Sequence, residues 1–151
     1  MIAIGESVPQ WSAVDEQGNP ISSTDLSGKR YVLYFYPRAN TPGCTREAMD
    51  FRDNYAEFEK LEVAIIGVSV DSVKRQLNFK EKHELPFTLL SDPDKQLVCS
   101  LGAEQDKPSA KRITYVISPD GLVEAAWGKV KVAGHIEEVL AKLHELVKQH
   151  G

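Results

Sequence analysis

Two apolar runs of β-forming residues, at positions 31–36 and 63–70, restrict the fold of this chain more than any other feature. The first run stops at Pro37, and the density of apolar residues in both is typical of buried strands. Between the runs, apolar residues recur at helical spacing, at Ala48, Phe51, Tyr55 and Phe58. A strand, a helix and a second strand in this order predict two parallel strands.

The rest of the chain predicts a hairpin and more helices. In order, these are a weak helix at 72–83, a short helix ending at Gly102, a hairpin at 113–127 with its turn at 119–121, and a helix with an apolar stripe from 136 to 147. The short helix is predicted to have Asp92 as its N-cap and Pro93 as its first residue. We therefore predict an α/β fold class with a thioredoxin-like arrangement, in which helices flank a central mixed β-sheet, in one domain over residues 1–151.

Charge and hydropathy exclude several classes of function. The chain has a net charge of −4 and no basic run, so we expect it to bind neither nucleic acid nor an anionic membrane surface. Its apolar runs are too short to span a bilayer, and its first residues lack the pattern of a signal peptide, so we expect a cytoplasmic protein. Its two cysteines, Cys44 and Cys99, form no CxxC pair and show no metal-ligand spacing with the histidines, so no metal is expected.

Cys44 lies where the first predicted strand is followed by a helix. Thr41 is a favourable N-cap and Pro42 suits the first helical position, so Cys44 falls in the first helical turn, where the helix dipole favours a thiolate. A stabilised thiolate is a weaker nucleophile, so thiolate formation alone raises the rate only about two- to threefold. Attack on an O–O bond also needs donors for the leaving oxygen. The candidates are the Thr41 hydroxyl, the N–H groups of Gly43 and Cys44, and a guanidinium.

The spacing Pro37-x-x-x-Thr41-x-x-Cys44 resembles the active-site motif of the peroxiredoxins. Other segments resemble the bacterioferritin comigratory protein (PrxQ-type) subgroup in the same order, namely Gly5-x-x-x-Pro9-x-Trp11, Asp25-Leu-Ser-Gly28-Lys29, Phe51-Arg-Asp-Asn54, Phe87-Thr-Leu-Leu-Ser-Asp92 and Ser118-Pro-Asp-Gly121. The resemblance implies a thiol-dependent peroxidase that reduces hydrogen peroxide and organic hydroperoxides, with no bound cofactor.

The resemblance also implies a role for individual residues. Cys44 matches the peroxidatic cysteine, which becomes a sulfenic acid. Thr41 matches the residue that hydrogen-bonds the thiolate and the peroxide, and Pro37 matches the proline that shields the thiolate from water. Arg112 matches the distant active-site arginine. Glu47 matches a position that we expect to orient Arg112 rather than react.

One difference from the subgroup concerns the resolving thiol. In many relatives a second cysteine lies five residues after the peroxidatic one, but here that position is Met49. Two routes remain open, resolution by Cys99 or by an external thiol. Cys99 is expected on the outer side of a short helix, either as an incidental surface thiol or as a resolving thiol. A second difference is the loop at 103–111, which is shorter than in many relatives and has no aromatic residue.

The expected partners follow from the same resemblance. The reductant would be thioredoxin, glutaredoxin or a low-molecular-weight thiol, and a monomer is expected, with a dimer as the alternative. Three other functions stay open from the residues alone: a peroxide-sensing redox module, a thiol–disulfide oxidoreductase on the same fold, and a structural protein with an unreactive Cys44.

Overall fold

The two predicted buried strands lie side by side at the centre of a mixed sheet. The computed structural model describes residues 1–150, and over those residues the sheet has seven strands in the order β2-β1-β5-β4-β3-β6-β7. The strands are β1 (Ser12–Asp15), β2 (Pro20–Ser22), β3 (Arg30–Phe35), β4 (Val63–Ser69), β5 (Thr88–Ser91), β6 (Ile113–Ile117) and β7 (Val123–Trp127). The central strands β3, β4 and β5 are parallel, whereas β1, β2, β6 and β7 add antiparallel pairs at the two edges.

Helices cover both faces of the sheet. They are α1 (Pro42–Asp53), α2 (Tyr55–Lys60), α3 (Val73–Lys82), α4 (Gln96–Ser100) and α5 (His135–His150), with a 3-10 helix at Ser23–Leu26. Helices α1, α2, α3 and α5 pack on one face, and α4 packs on the other together with the 3-10 helix. Within the described residues, no helix is both long and apolar enough to cross a membrane.

Strand β3 shows why both faces have to be covered. Its side chains alternate between the two cores: Val32 and Tyr34 face α1 and α5, whereas Leu33 and Phe35 face α4. All four are fully buried. A strand that is apolar at every position loses the hydrophobic contribution of one face unless a layer of helices covers each side.

The central mixed sheet flanked by helices is confirmed, and so are the parallel pair and the C-terminal hairpin. The helix predicted from the 48–58 pattern is interrupted, because Asn54 leaves the helical conformation and separates α1 from α2. Strands β1, β2 and β5 have no counterpart in the prediction. They are three or four residues long, too short to show a period.

The predicted start of α4 was wrong. Its N-cap is Lys95 in a left-handed conformation, and Pro93 precedes the helix. Asp92 still caps the start of the helix, although it is not the N-cap residue. Its carboxylate accepts hydrogen bonds from the N–H groups of Leu97 and Val98 at 3.2 and 2.8 Å. A turn at 93–94, closed by the hydrogen bond from the Lys95 N–H to the Asp92 carbonyl at 3.1 Å, brings the carboxylate back over the helix start, and the pattern of a simple N-cap does not contain this turn.

Candidate active site

The loop between β3 and α1 carries Pro37 and Thr41 and is held by hydrogen bonds at its start and in its middle. At its start, the Tyr36 N–H donates to the Val68 carbonyl and so extends the pairing of β3 with β4. In its middle, the Ala39 N–H donates to a carboxylate oxygen of Asp71 at 2.7 Å. Asn40 then takes a left-handed conformation with φ of 63°, which asparagine tolerates better than most residues, and Thr41 follows as the N-cap of α1.

Cys44 is the third residue of α1, as predicted, and its side chain is almost completely buried. Its Sγ lies 3.3 Å from Nη2 of Arg112, which is within hydrogen-bond distance for sulfur. The first N–H groups of a helix have no partner within it, so those of Gly43 and Cys44 are available beside the thiol. The site thus surrounds one sulfur atom with a guanidinium and the positive end of a helix.

Arg112 lies immediately before β6, and its guanidinium is shared between two partners. Nη1 donates to Oε1 of Glu47 at 2.7 Å, while Nη2 faces Cys44. Glu47 is one turn after Cys44 on α1, so the helix presents both partners on one side. A Cβ atom at position 43 would lie 3.2 Å from Nη2, so Gly43 leaves the space that this guanidinium occupies.

Glu47 is fully buried, and only one of its two oxygens is bonded. Oε2 has no hydrogen-bond partner among the described residues, and neither does the buried hydroxyl of Tyr34. Burial raises the pKa of Glu47 from 4.5 to about 7, against the opposing attraction of Arg112. The carboxyl group therefore changes charge near neutral pH while it holds the guanidinium.

The other predicted site residues also lie near this loop. The Thr41 hydroxyl donates to the Arg38 carbonyl at 2.8 Å, and this bond leaves lone pairs on the hydroxyl oxygen. Pro37 and Arg112 line the same surface cleft. The structure therefore brings together Cys44, Glu47 and Arg112 by direct contact, and it places Pro37 and Thr41 on the adjoining loop; their roles in the reaction stay predictions.

Cys99 is not part of this arrangement. It is exposed on α4, whose Leu97 and Val98 pack, with the following Leu101, on the opposite face of the sheet from α1. A hydrogen bond to the Glu104 carboxylate raises the pKa of the Cys99 thiol. The expected outward orientation is confirmed, and the sheet lies between the two cysteines.

Two further polar groups near the site were not singled out by the sequence. Asp71 is buried after β4, where it accepts from Ala39 N–H and from the Ser69 hydroxyl, both at 2.7 Å. Thr114, the second residue of β6, pairs through its hydroxyl with the ring of the buried His135 at 2.8 Å. Carboxyl ends of parallel strands meet at one edge of a sheet, so an acidic residue directly after β4 was a usable signal for Asp71.

Comparison with known proteins identifies the family to which this arrangement belongs. Residues 4–126 match the AhpC/TSA family. This chain is a member of the AhpC/TSA family.

The relatives place the chain more finely within this family. It is similar to the putative peroxiredoxin bcp of Coxiella burnetii, with 42% identity over 94% of this chain and 99% of the relative. It is also similar to peroxiredoxin Bcp of Bacillus subtilis, with 40% identity over 96% and 97%. Among solved structures, the bacterioferritin comigratory protein of Xanthomonas campestris, studied for its alkyl peroxide reduction, has 38% identity and a TM-score of 0.87 over 91% of this chain and 92% of that chain.

These likenesses confirm a peroxiredoxin of the Bcp/PrxQ type with a thioredoxin-like fold. The protein is a thiol peroxidase, which reduces a peroxide and is returned to its starting state by a thiol-based reductant.

Proposed function

We propose that Cys44 is the peroxidatic cysteine of this peroxiredoxin and that a thiol from outside the chain, rather than Cys99, resolves it. The observation that carries the first half is the contact between Sγ of Cys44 and Nη2 of Arg112 at 3.3 Å in a buried helix start. A guanidinium at that distance stabilises a thiolate and donates to a peroxide oxygen beside it.

The reaction proceeds by direct displacement on the peroxide. The Cys44 thiolate attacks one oxygen of the O–O bond, that bond breaks, and the leaving oxygen takes a proton and departs as water or an alcohol. Cys44 becomes a sulfenic acid. In this proposal Arg112 and the N–H groups of the first turn stabilise the charge that develops on the leaving oxygen, and a single donor of this kind contributes about 10²- to 10³-fold to the rate.

The placement of the two cysteines supports an external resolving thiol. A disulfide needs Cα atoms within about 7 Å, whereas Cys44 belongs to the core under α1 and Cys99 is exposed on α4 across the sheet. An external thiol attacks the sulfenic sulfur, releases water and leaves a mixed disulfide. A second thiol then frees Cys44, and the two external thiols end as a disulfide. Thioredoxin, glutaredoxin or a low-molecular-weight thiol supplies this chemistry.

The intact mass after addition of one equivalent of hydrogen peroxide tests both parts of the proposal, that Cys44 is the peroxidatic cysteine and that an external thiol resolves it. We expect the reduced protein to gain about 16 mass units, and about 32 with excess peroxide, since a stranded sulfenic acid oxidises further. The Cys99→Ser variant should behave in the same way, and the Cys44→Ser variant should not react. A loss of about two mass units that disappears in Cys99→Ser would show that Cys99 resolves Cys44. An unchanged wild-type mass would remove Cys44 from the reaction.

A monomer, with a dimer as the alternative, and a cytoplasmic location stay predictions from the sequence. Sedimentation of the reduced protein tests the former, and a second copy in solution would favour the dimer.

A further inference from the structure

A concave surface with an excess of positive charge adjoins the site. It is a cleft of about 380 Å³ lined by Pro37, Arg112 and Val130 and by Lys107 and Lys111 of the loop before β6. We call it the lysine cleft. Among the residues that the structure describes, no carboxylate lines it. Its volume fits a small organic molecule rather than hydrogen peroxide alone.

The charge around the lysine cleft contrasts with that of the whole chain. The segments 105–112 and 128–131 carry five cationic side chains and a single carboxylate, that of Asp106, whereas the whole chain has a net charge of −4. In the part of the chain that the structure describes, neither Lys107 nor Lys111 forms an ion pair. Both side chains are exposed, so their charge is available to a ligand.

The loop that carries these lysines is held in place. The side-chain amide of Gln105 donates to the carbonyls of Ser109 and Ala110, both at 3.1 Å. The Lys111 N–H donates to the Ala103 carbonyl at 2.8 Å, and the Lys107 carbonyl accepts from the Lys95 ammonium at 2.7 Å. The two ammonium groups therefore extend from a fixed backbone beside the guanidinium that contacts Cys44.

We propose that the lysine cleft binds the carboxylate of a small organic molecule whose reactive end, a hydroperoxide or a thiol, reaches Cys44. This inference rests on the proposed function, because it places the reactive end at Cys44. Arg112 already supplies the cationic contact to the Cys44 sulfur, and Cys44 is not among the residues that line the cleft, so the lysines point to an organic co-substrate larger than hydrogen peroxide. Complementary charge at a concave site raises the local concentration and the association rate of an oppositely charged ligand.

The experiment compares matched charged and neutral probes in the two halves of the cycle. In the first arm, Cys44 is oxidised by cumene hydroperoxide or by its para-carboxylate. In the second arm, oxidised Cys44 is reduced by N-acetylcysteine amide or by N-acetylcysteine. Each arm yields one ratio, the rate with the charged probe divided by the rate with the neutral probe. The ratio is compared between protein variants, so the intrinsic reactivity of the probes cancels.

We expect the ratio in at least one arm to fall about five- to tenfold in the Lys107→Ala/Lys111→Ala double variant. It should also fall in the wild type as salt rises from about 20 mM to about 500 mM, because screening weakens the attraction. The arm that responds identifies the ligand as the hydroperoxide or the thiol. Lys74→Glu on α3 is the control, since Lys74 is exposed and outside the cleft.

Ratios that are the same in the wild type and the double variant in both arms would overturn the inference. That result is distinct from a failure of the proposed function, which would appear as an absence of Cys44 oxidation by hydrogen peroxide in the wild type.

Discussion

At the scale of single residues, the guanidinium of Arg112 faces two groups that compete for its charge. Cys44 and Glu47 lie on the same side of α1, and each takes one nitrogen of Arg112. When Glu47 is ionised it neutralises part of the charge that would otherwise act on the sulfur. The bond to Glu47 also fixes the guanidinium plane, so the same carboxyl group both orients Arg112 and weakens its field.

Replacing Arg112 tests its contribution directly. We expect Arg112→Met to slow the oxidation of Cys44 by hydrogen peroxide by about 10²- to 10³-fold, because one fixed donor and the only cation in contact with the sulfur among the described residues are lost. Stopped-flow fluorescence or quenched mass analysis gives the rate. Arg46→Met on the exposed side of α1 is the control and should match the wild type. A rate for Arg112→Met within threefold of the wild type would contradict this role.

At the scale of secondary-structure elements, the site depends on the point where β4 leads into α3. Asp71 is placed there with its carboxylate turned toward the neighbouring loop, where it accepts a hydrogen bond from the half-buried Ala39 N–H. The Ser91 hydroxyl donates to the Asp71 carbonyl at 2.6 Å, which connects the same point to the end of β5. Three parallel strand ends therefore determine the path of the loop that carries Pro37 and Thr41.

Removal of this carboxylate should affect both stability and rate. Asp71→Ala is expected to lower the free energy of unfolding by on the order of 3 kcal/mol, since two hydrogen bonds to a buried charged acceptor are lost. Displacement of the loop should also lower the peroxidase rate by more than about tenfold. Asp71→Asn keeps one acceptor oxygen and should recover most of the rate.

Urea unfolding and peroxide kinetics on the same samples provide the two readouts for Asp71. The exposed Asp94→Ala is the matched control. A stable Asp71→Ala protein with wild-type kinetics would show that the loop keeps its path without this bond.

The elements that could be predicted from sequence are those whose signal is local. The strands 31–36 and 63–70, the cap at Thr41 and the position of Cys44 in the first turn all depend on neighbours a few residues away. Arg112 was reached only through resemblance, because its contact with Cys44 spans 68 residues. The bond of Asp71 to Ala39 spans 32 residues and depends on strand order, which the local patterns do not contain.

At the scale of the whole molecule, two buried titratable groups have opposite effects on how the stability of the fold changes with pH. Burial lowers the pKa of His135 from 6.5 to about 4, whereas it raises the pKa of Glu47 from 4.5 to about 7. Below pH 6.5 His135 is protonated in the unfolded chain but not in the folded chain. The free energy of unfolding therefore decreases as the pH falls from 6.5 toward 4. Glu47 acts in the other direction, because the folded chain holds its proton more tightly, and its stabilising effect is lost as the pH rises from 4.5 through 7.

Single substitutions should expose each contribution, which is on the order of 3 kcal/mol. We compare the free energy of unfolding of each variant with that of the wild type as the pH falls from about 6.5 to about 4.5. The value for Glu47→Gln should fall relative to the wild type, because the variant lacks the stabilising uptake of a proton at Glu47. The value for His135→Asn should rise relative to the wild type, because the variant lacks the destabilising His135. Urea unfolding at a series of pH values gives these differences, in which the other carboxylates cancel. Difference curves that do not change with pH would show that neither group titrates as the structure indicates.

Because one thiol is buried and the other is exposed on the opposite side of the sheet, thiol labelling can report on the opening of the first turn of α1. A bulky maleimide can reach Cys99 at once, but it reaches Cys44 only when the first turn of α1 detaches from the core. The ratio of the two labelling rates in one sample therefore measures how often the catalytic turn opens. A protein reductant meets the same barrier at the oxidised sulfur, so a large partner can regenerate the enzyme only when this turn opens.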